Sequence, residues 1–170
     1  MIIPIVDEND KLLYYKDLDE RDPRREITRA SCVWIVNEKN EILLAKRSKY
    51  HTNLPNLWGP SAAGSLKEGE TYEDNIIKEA QEEIGVKLEK IVPGPKLRDS
   101  DTHEFFAQYF FSQIHSDTKF ILQEREVDEA KWVSLSELKE WYRLHPEEFL
   151  PTFDKSLKVI EDYEAQSKKT

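Results

Sequence analysis

Between Gly64 and Val86 the chain reads GSLKEGETYEDNIIKEAQEEIGV, and within it Glu79, Glu82 and Glu83 recur at helical spacing. At about 100° per residue these three fill an arc roughly 100° wide, next to a second arc that holds Ile76, Ile77, Ala80 and Ile84. The apolar arc can pack while its neighbour carries three carboxylates. Glu79 and Glu83 stand at i, i+4, where like charges cost about 0.2–0.5 kcal/mol, and Glu82 adds to the repulsion. A divalent cation relieves that repulsion. Hard oxygen donors suit Mg²⁺ or Mn²⁺, which keep several waters and reach a substrate's phosphates directly. The competing reading of the same residues is a solvated acidic helix face.

Local signals say which elements hold this arc. Thr71 with Asp74 three residues on forms a capping box and Gly85 a stop, which predicts a helix from Thr71 to Ile84. Ahead of it, the β-rich run 29–37, a turn at Asn37-Glu-Lys-Asn40 and a return over 42–46 predict a hairpin. The stretch 50–64 contains Pro55, Trp58, Gly59 and Pro60 and reads as a structured loop. Past Pro93-Gly94-Pro95, residues 103–114 hold five aromatics in a dense apolar run, the pattern of a central buried strand. Residues 127–133 add another strand. Ser134 and Glu137 cap a helix to about Leu144, and Leu150, Phe153, Leu157, Ile160 and Tyr163 mark a last amphipathic helix. Residues 1–27 show an edge element at Leu12–Tyr15 and a charged arm at Lys16–Glu26, with no fold legible beyond that. The sum is an α/β chain: a mixed sheet covered by helices on both faces.

Gly64, Glu70, Glu79, Glu82, Glu83 and Gly85 fall on the spacing Gly-x5-Glu-x7-(Arg)-Glu-U-x-Glu-Glu-x-Gly-U, where U is aliphatic. In this the chain resembles the Nudix hydrolases, with Lys78 where the pattern has Arg. The resemblance implies an α/β/α sandwich with a mixed sheet between helices, and a single domain over 1–170. Its parts would be the N-terminal arm 1–27, the Nudix box 64–86 and the C-terminal helices 134–170. It further implies Mg²⁺ or Mn²⁺ at the diphosphate of a nucleoside diphosphate linked to another group, with water attacking phosphorus. On that carry-over Gly64, through its carbonyl, Glu79 and Glu83 are metal ligands, and Glu82 is a ligand or the base. Glu70 would pair with Lys78, which keeps the charge of the usual arginine but loses its bidentate fork.

Over most of residues 4–153 the chain is also similar to a subgroup resembling isopentenyl-diphosphate isomerase. The residues that carry this are Val6-Asp-Glu-Asn-Asp10, Ala45-Lys-Arg-Ser48, Leu54-Pro-Asn-Leu-Trp58, Glu126-Val127 and Pro146-Glu-Glu-Phe-Leu-Pro151. Those isomerases have a Cys before the box glycine, a His after it and a metal-binding His where the first core strand begins. Here the positions hold Ala63, Ser65 and Thr28. Moving a double bond requires an acid and a base, and Ala63 supplies neither. Hydrolysis is therefore favoured over isomerisation. It is also favoured over a catalytically silent binding module, because all four box glutamates are present.

Other candidates stand outside the box. Glu126, just before the strand at 127, is a candidate additional acid or base, with Glu124 and Glu129 as local competitors. Arg47, Arg29 and Lys78 are the cations proposed to neutralise substrate phosphates. Trp58 and the aromatics at 105–111 could stack a base, although aromatics in strands are more often core. His51 and His103 receive no role.

Composition bounds the remaining possibilities. With 25 Lys+Arg against 34 Asp+Glu, the net charge of −9 over 170 residues disfavours a nucleic-acid partner. The lone Cys32 excludes an internal disulfide and a Cys-cluster zinc site, and reads as a buried inert thiol. No signal or membrane segment is evident, which leads us to expect a cytoplasmic monomer or homodimer acting on a small-molecule diphosphate.

Overall fold

The computed structural model describes residues 1–169. The first 17 residues, whose fold the sequence left unread, form an antiparallel hairpin of β1 (Ile2–Val6) and β2 (Leu12–Asp17). β1 is buried from its second residue onward, while β2 is exposed over most of its length. Val6 joins Ile27 and Phe106 in a small cluster that ties the hairpin to the main sheet.

That sheet has seven strands: β3 (Thr28–Val36), β4 (Glu41–Arg47), β5 (Trp58–Gly59), β6 (Ala62–Ser65), β7 (Val92–Ser100), β8 (Glu104–Gln113) and β9 (Val127–Ser134). β3 runs parallel to β8 without interruption, from Thr28 opposite Phe105 to Val36 opposite Gln113. β8 is flanked on its other edge by β7, so the aromatic segment is a central buried strand as expected. β7 itself was not anticipated: Pro93, Gly94 and Pro95 interrupt any strand pattern, and they are tolerated because β7 pairs on one side only.

The predicted β3–β4 hairpin turns where expected but pairs only at Val36–Ile42. Beyond that point the two strands part. β3 takes β6 as its antiparallel partner over 30–33, while β4 pairs with β9 along its length and with β5 at Ala45 and Lys46. Ser61, fully buried, fills the fork: its hydroxyl accepts from Ile35 N at 2.8 Å and donates to Leu43 O at 2.7 Å, while its own N–H donates to Val33 O. The stretch read as a loop thus contains two short strands that hold the fork open.

Alternation along β3 distributes the core to both faces. Val33 and Ile35, with Leu43 and Ala45 of β4, pack on α1 (Tyr72–Ile84) through Ile76, Ala80 and Ile84. Cys32, Trp34 and Val36 pack on α2 (Leu135–Leu144) and α3 (Phe153–Ser167) through Leu138, Phe153, Leu157 and Ile160. The result is an α/β/α sandwich. Among the described residues no helix is long and apolar enough to cross a membrane.

Candidate active site

α1 begins and ends where its local chemistry dictates. The Thr71 hydroxyl accepts from Asp74 N while the Asp74 carboxylate accepts from Thr71 N, and Gly85 closes the helix in the left-handed region at φ +71°. The buried stripe differs from the predicted arc at one position. Ile77 is 39% exposed, and Asn75, fully buried, lies inside instead. The stripe is therefore turned slightly, which brings the carboxylate arc against β6.

Gly64, in β6, makes that approach possible. An added Cβ there would lie 2.5 Å from Glu79 Cγ and 2.8 Å from its Oε1, so the Glu79 side chain lies directly across the glycine. Glu83 reaches the same strand, its Oε2 accepting from Ala63 N at 3.2 Å. Burial pushes the Glu83 carboxyl up to about 8, with the Glu79 charge adding to the rise and the Ala63 N–H and Arg47 opposing it. Burial likewise pushes Glu79 up to about 6, helped by Glu82 and opposed by Lys78. Glu82 is exposed at the rim.

A second carboxylate group orients Glu79. Lys78 Nζ binds Glu70 Oε1 and lies 3.9 Å from Glu79 Oε1. Asn75 Nδ2 is 3.1 Å from Glu70 Oε2 and 3.4 Å from Glu79 Oε1, and it also faces Ser65 O at 3.2 Å. Lys67 N donates to Glu70 Oε2 at 2.8 Å. Burial alone would raise the Glu70 carboxyl, but these donors outweigh it and hold the group below its ordinary value.

Gly64, Ser65, Lys67, Glu79, Glu82 and Glu83 form the floor of a groove of about 670 Å³. Its opposite wall comes from the segment between β4 and β5, from the chain before β9 and from the N-terminal region, the last contributing Leu18, Arg21 and Pro23. Arg47 is largely buried, its Nη1 donating to Asn53 O at 2.7 Å, and burial draws its pKa below the ordinary value. No carboxylate lies within 4 Å of it among the described residues, although Glu83, Asp101 and Glu126 are near enough to act on its charge. His51 Nδ1 accepts from Asn53 N at 3.2 Å, which leaves the proton on Nε2, 3.3 Å from Glu126 Oε2. Burial and the nearby Arg47 lower the His51 pKa, so the ring is neutral at neutral pH.

The NUDIX domain family model matches residues 26–153, three quarters of the chain. The chain belongs to the Nudix family. It is 37% identical over 111 residues to an uncharacterised Nudix hydrolase of Listeria monocytogenes, a match that spans 63% of either protein. The alignment thus covers under two thirds of that relative's length. A prenyl-diphosphate phosphatase of Methanosarcina mazei is 29% identical over 154 residues, covering 88% of this chain and 89% of the relative. The crystal structure of DR0079 from Deinococcus radiodurans superimposes with a TM-score of 0.78 at 20% identity, covering 93% of this chain and 98% of that one, a likeness of fold.

The Nudix box residues fit a divalent cation on two grounds of their own. Gly64 O and the carboxylates of Glu79, Glu82 and Glu83 are all oxygen donors, the kind hard cations take, although among the described residues no three of the box acids bring ligand atoms within 4.8 Å of one another. Glu79 and Glu83 are also driven toward protonation, chiefly by burial, and a cation held between them would restore their charged form. A separate group of His145, Glu147 and Glu148 sits on the turn after α2, but Trp141 Nε1 already donates to Glu148 at 2.6 Å and the group lies outside the groove.

Of the sequence candidates, the structure brings Gly64, Glu79, Glu82, Glu83, Glu126 and Arg47 together around the groove. It does not bring Arg29 or Lys78 there. Arg29 is bound to Asp10 through Nε at 2.6 Å and stacks over Tyr72, and Lys78 is committed to Glu70. Glu124 contributes its carbonyl to Ser48, and Glu129 is an exposed β9 residue opposite Lys46. Trp58 and the aromatics of β8 are core, Trp58 lying edge-on to Trp141 at 5.2 Å. Cys32, opposite Ala63 in the sheet, is buried, and burial pushes its thiol up to about 12. Sequence reasoning missed His51, Asn75 and Arg21. His51 meets Glu126 only through the fold, whereas Asn75 touches Glu70 and Glu79 within its own segment and is distinguished by its burial on the inner side of α1.

Proposed function

We propose that the protein hydrolyses a phosphoanhydride bond in a small-molecule diphosphate, by water attack on phosphorus and with Mg²⁺ or Mn²⁺. The observation that carries this reading is one groove lined by Gly64, Glu79, Glu82 and Glu83 together with Arg47, a half-buried arginine with no carboxylate within 4 Å among the described residues. Gly64 O, Glu79, Glu82 and Glu83 would hold the metal. The metal would polarise phosphoryl oxygens and make water a stronger nucleophile at neutral pH.

The remaining work falls to side chains. Arg47 binds a phosphate oxygen and neutralises charge that builds as the bond breaks. Glu126, one oxygen of which lies 3.3 Å from His51 Nε2, is the candidate to accept the proton of the attacking water. Glu82 is the alternative base, exposed at the rim and free of any structural ion pair within 4 Å among the described residues. Ala63 can neither donate nor accept a proton, which removes the acid that isomerisation of an alkene needs.

The substrate class we favour is a nucleoside diphosphate derivative or nucleotide. The second reading is a prenyl diphosphate, and it rests on the relative named for that activity, whose match extends over most of both chains. A panel of both classes with Mg²⁺, followed by phosphate release and mass, tests the proposal. Cleavage that stops in EDTA and falls by orders of magnitude in Glu82→Gln or Glu126→Gln is expected. Turnover in EDTA, or full activity in both variants, refutes it.

A further inference from the structure

A lysine in place of the box arginine offers one point charge where a guanidinium would offer two parallel N–H donors. In this chain a second donor stands beside it. Lys78 Nζ and Asn75 Nδ2 both approach the same two carboxylates: Lys78 at Glu70 Oε1 and, more distantly, Glu79 Oε1, and Asn75 at Glu70 Oε2 and Glu79 Oε1. Asn75 precedes Lys78 by three residues on α1, so the two side chains rise from the same side of the helix. Glu70 is therefore held through both oxygens, as a bidentate arginine would hold it, but by two residues.

The burial of Asn75 makes this arrangement costly unless it has a task. The side chain is fully buried and its Oδ1 has no hydrogen-bond partner. Turning the amide over would satisfy nothing, because it would set Oδ1 against Ser65 O, Glu70 and Glu79, all of them acceptors. The amide is thus fixed with its donors inward, at the expense of an orphaned acceptor.

We propose that Asn75 is a positioning residue for the metal-binding carboxylates, supplying with Lys78 the second donor that the family's arginine would supply alone. Through Ser65 O it ties the end of β6, next to Gly64, to Glu70 and Glu79. It thereby fixes where the Glu79 carboxylate lies across the glycine. This inference rests on the metal-dependent reading above.

The test is a double-mutant cycle of Asn75→Ala with Lys78→Arg, read by Mn²⁺ binding in electron paramagnetic resonance titrations and by melting in EDTA. Asn75→Ala should weaken Mn²⁺ binding at least 10-fold in the wild-type background, and less than 3-fold where Lys78→Arg restores the fork. Purely structural damage would not be repaired by that second change. Because Asn75 is buried, Asn75→Leu, of similar size, uncharged and without donors, replaces the alanine in the cycle if Asn75→Ala does not fold. Equal losses in both backgrounds, or no loss in either, overturn the proposal. Absence of Mn²⁺ binding by the wild-type protein refutes the metal-dependent reading itself, and is distinguishable from both.

Discussion

Glu83→Gln should make the metal-free protein more stable, and by an amount that grows with pH. The wild-type carboxyl has its folded pKa raised from 4.5 to about 8 by burial next to Glu79. Below pH 4.5 it is protonated in both folded and unfolded chains and costs nothing. Between pH 4.5 and 8 the unfolded chain ionises first, so the folded state loses ground as pH rises, and above pH 8 the penalty is complete. At about 1.36 kcal/mol per pH unit the interval corresponds to on the order of 5 kcal/mol. Water reaching the open groove relieves part of it, leaving about 2–3 kcal/mol. Glutamine keeps an oxygen to accept from Ala63 N and carries no charge. Urea denaturation of both proteins in EDTA, at pH 5 and pH 8.5, is the assay. The variant should gain little at pH 5 and about 2–3 kcal/mol at pH 8.5. In millimolar Mg²⁺ the gap at pH 8.5 should close, since a cation at 100 times its Kd adds about 2.7 kcal/mol to the protein that binds it. A variant that is less stable than wild type in EDTA at pH 8.5, or a gap that does not change with pH, refutes the view of Glu83 as an unrelieved buried charge.

Three further outcomes are expected. Gly64→Ala places a methyl group within 2.8 Å of Glu79 Oε1 and should abolish the Mg²⁺-induced rise in melting temperature while leaving the far-UV spectrum unchanged; a normal rise shows that Glu79 can lie elsewhere. Isopentenyl diphosphate should not be isomerised, and dimethylallyl diphosphate above a no-enzyme control would reverse that conclusion. Cys32, buried and with its thiol pushed up to about 12, should resist iodoacetamide at pH 8 until the protein is unfolded, so labelling of the native protein detected by mass contradicts its placement.

What was legible in the sequence follows the range of the forces involved. α1 could be read to its ends because its caps and apolar repeat act within a few residues, and the box glutamates inherit their placement from that helix. β8 was legible from composition alone, since a strand buried on both faces must be apolar throughout. β7 was not, because prolines that exclude a central strand are compatible with an edge. The β1–β2 hairpin was not, because β2 is mostly exposed and keeps no hydrophobic alternation. The sequence offers Arg29 as a phosphate ligand, but its partner Asp10 lies 19 residues back and only the fold reveals the ion pair. His51 and Asn75 are the converse, residues of ordinary appearance whose roles depend on Glu126, 75 positions away, and on the packing of α1 against β6.

The groove divides its labour along the chain. Its floor belongs to the segment that defines the family, 26–153, whereas Met1, Leu18, Asp19, Arg21 and Pro23 on its wall precede that segment. Arg21 is partly buried there, its nearest ion-pair partners beyond 4 Å among the described residues, and burial lowers its pKa. Substitutions in the first 25 residues can therefore reshape what the groove admits without disturbing the carboxylates, and the floor can persist through lineages whose walls diverge. Exchanging the segment 18–23 for that of a relative would then change which molecules the groove admits while the carboxylates of α1 stay where they are.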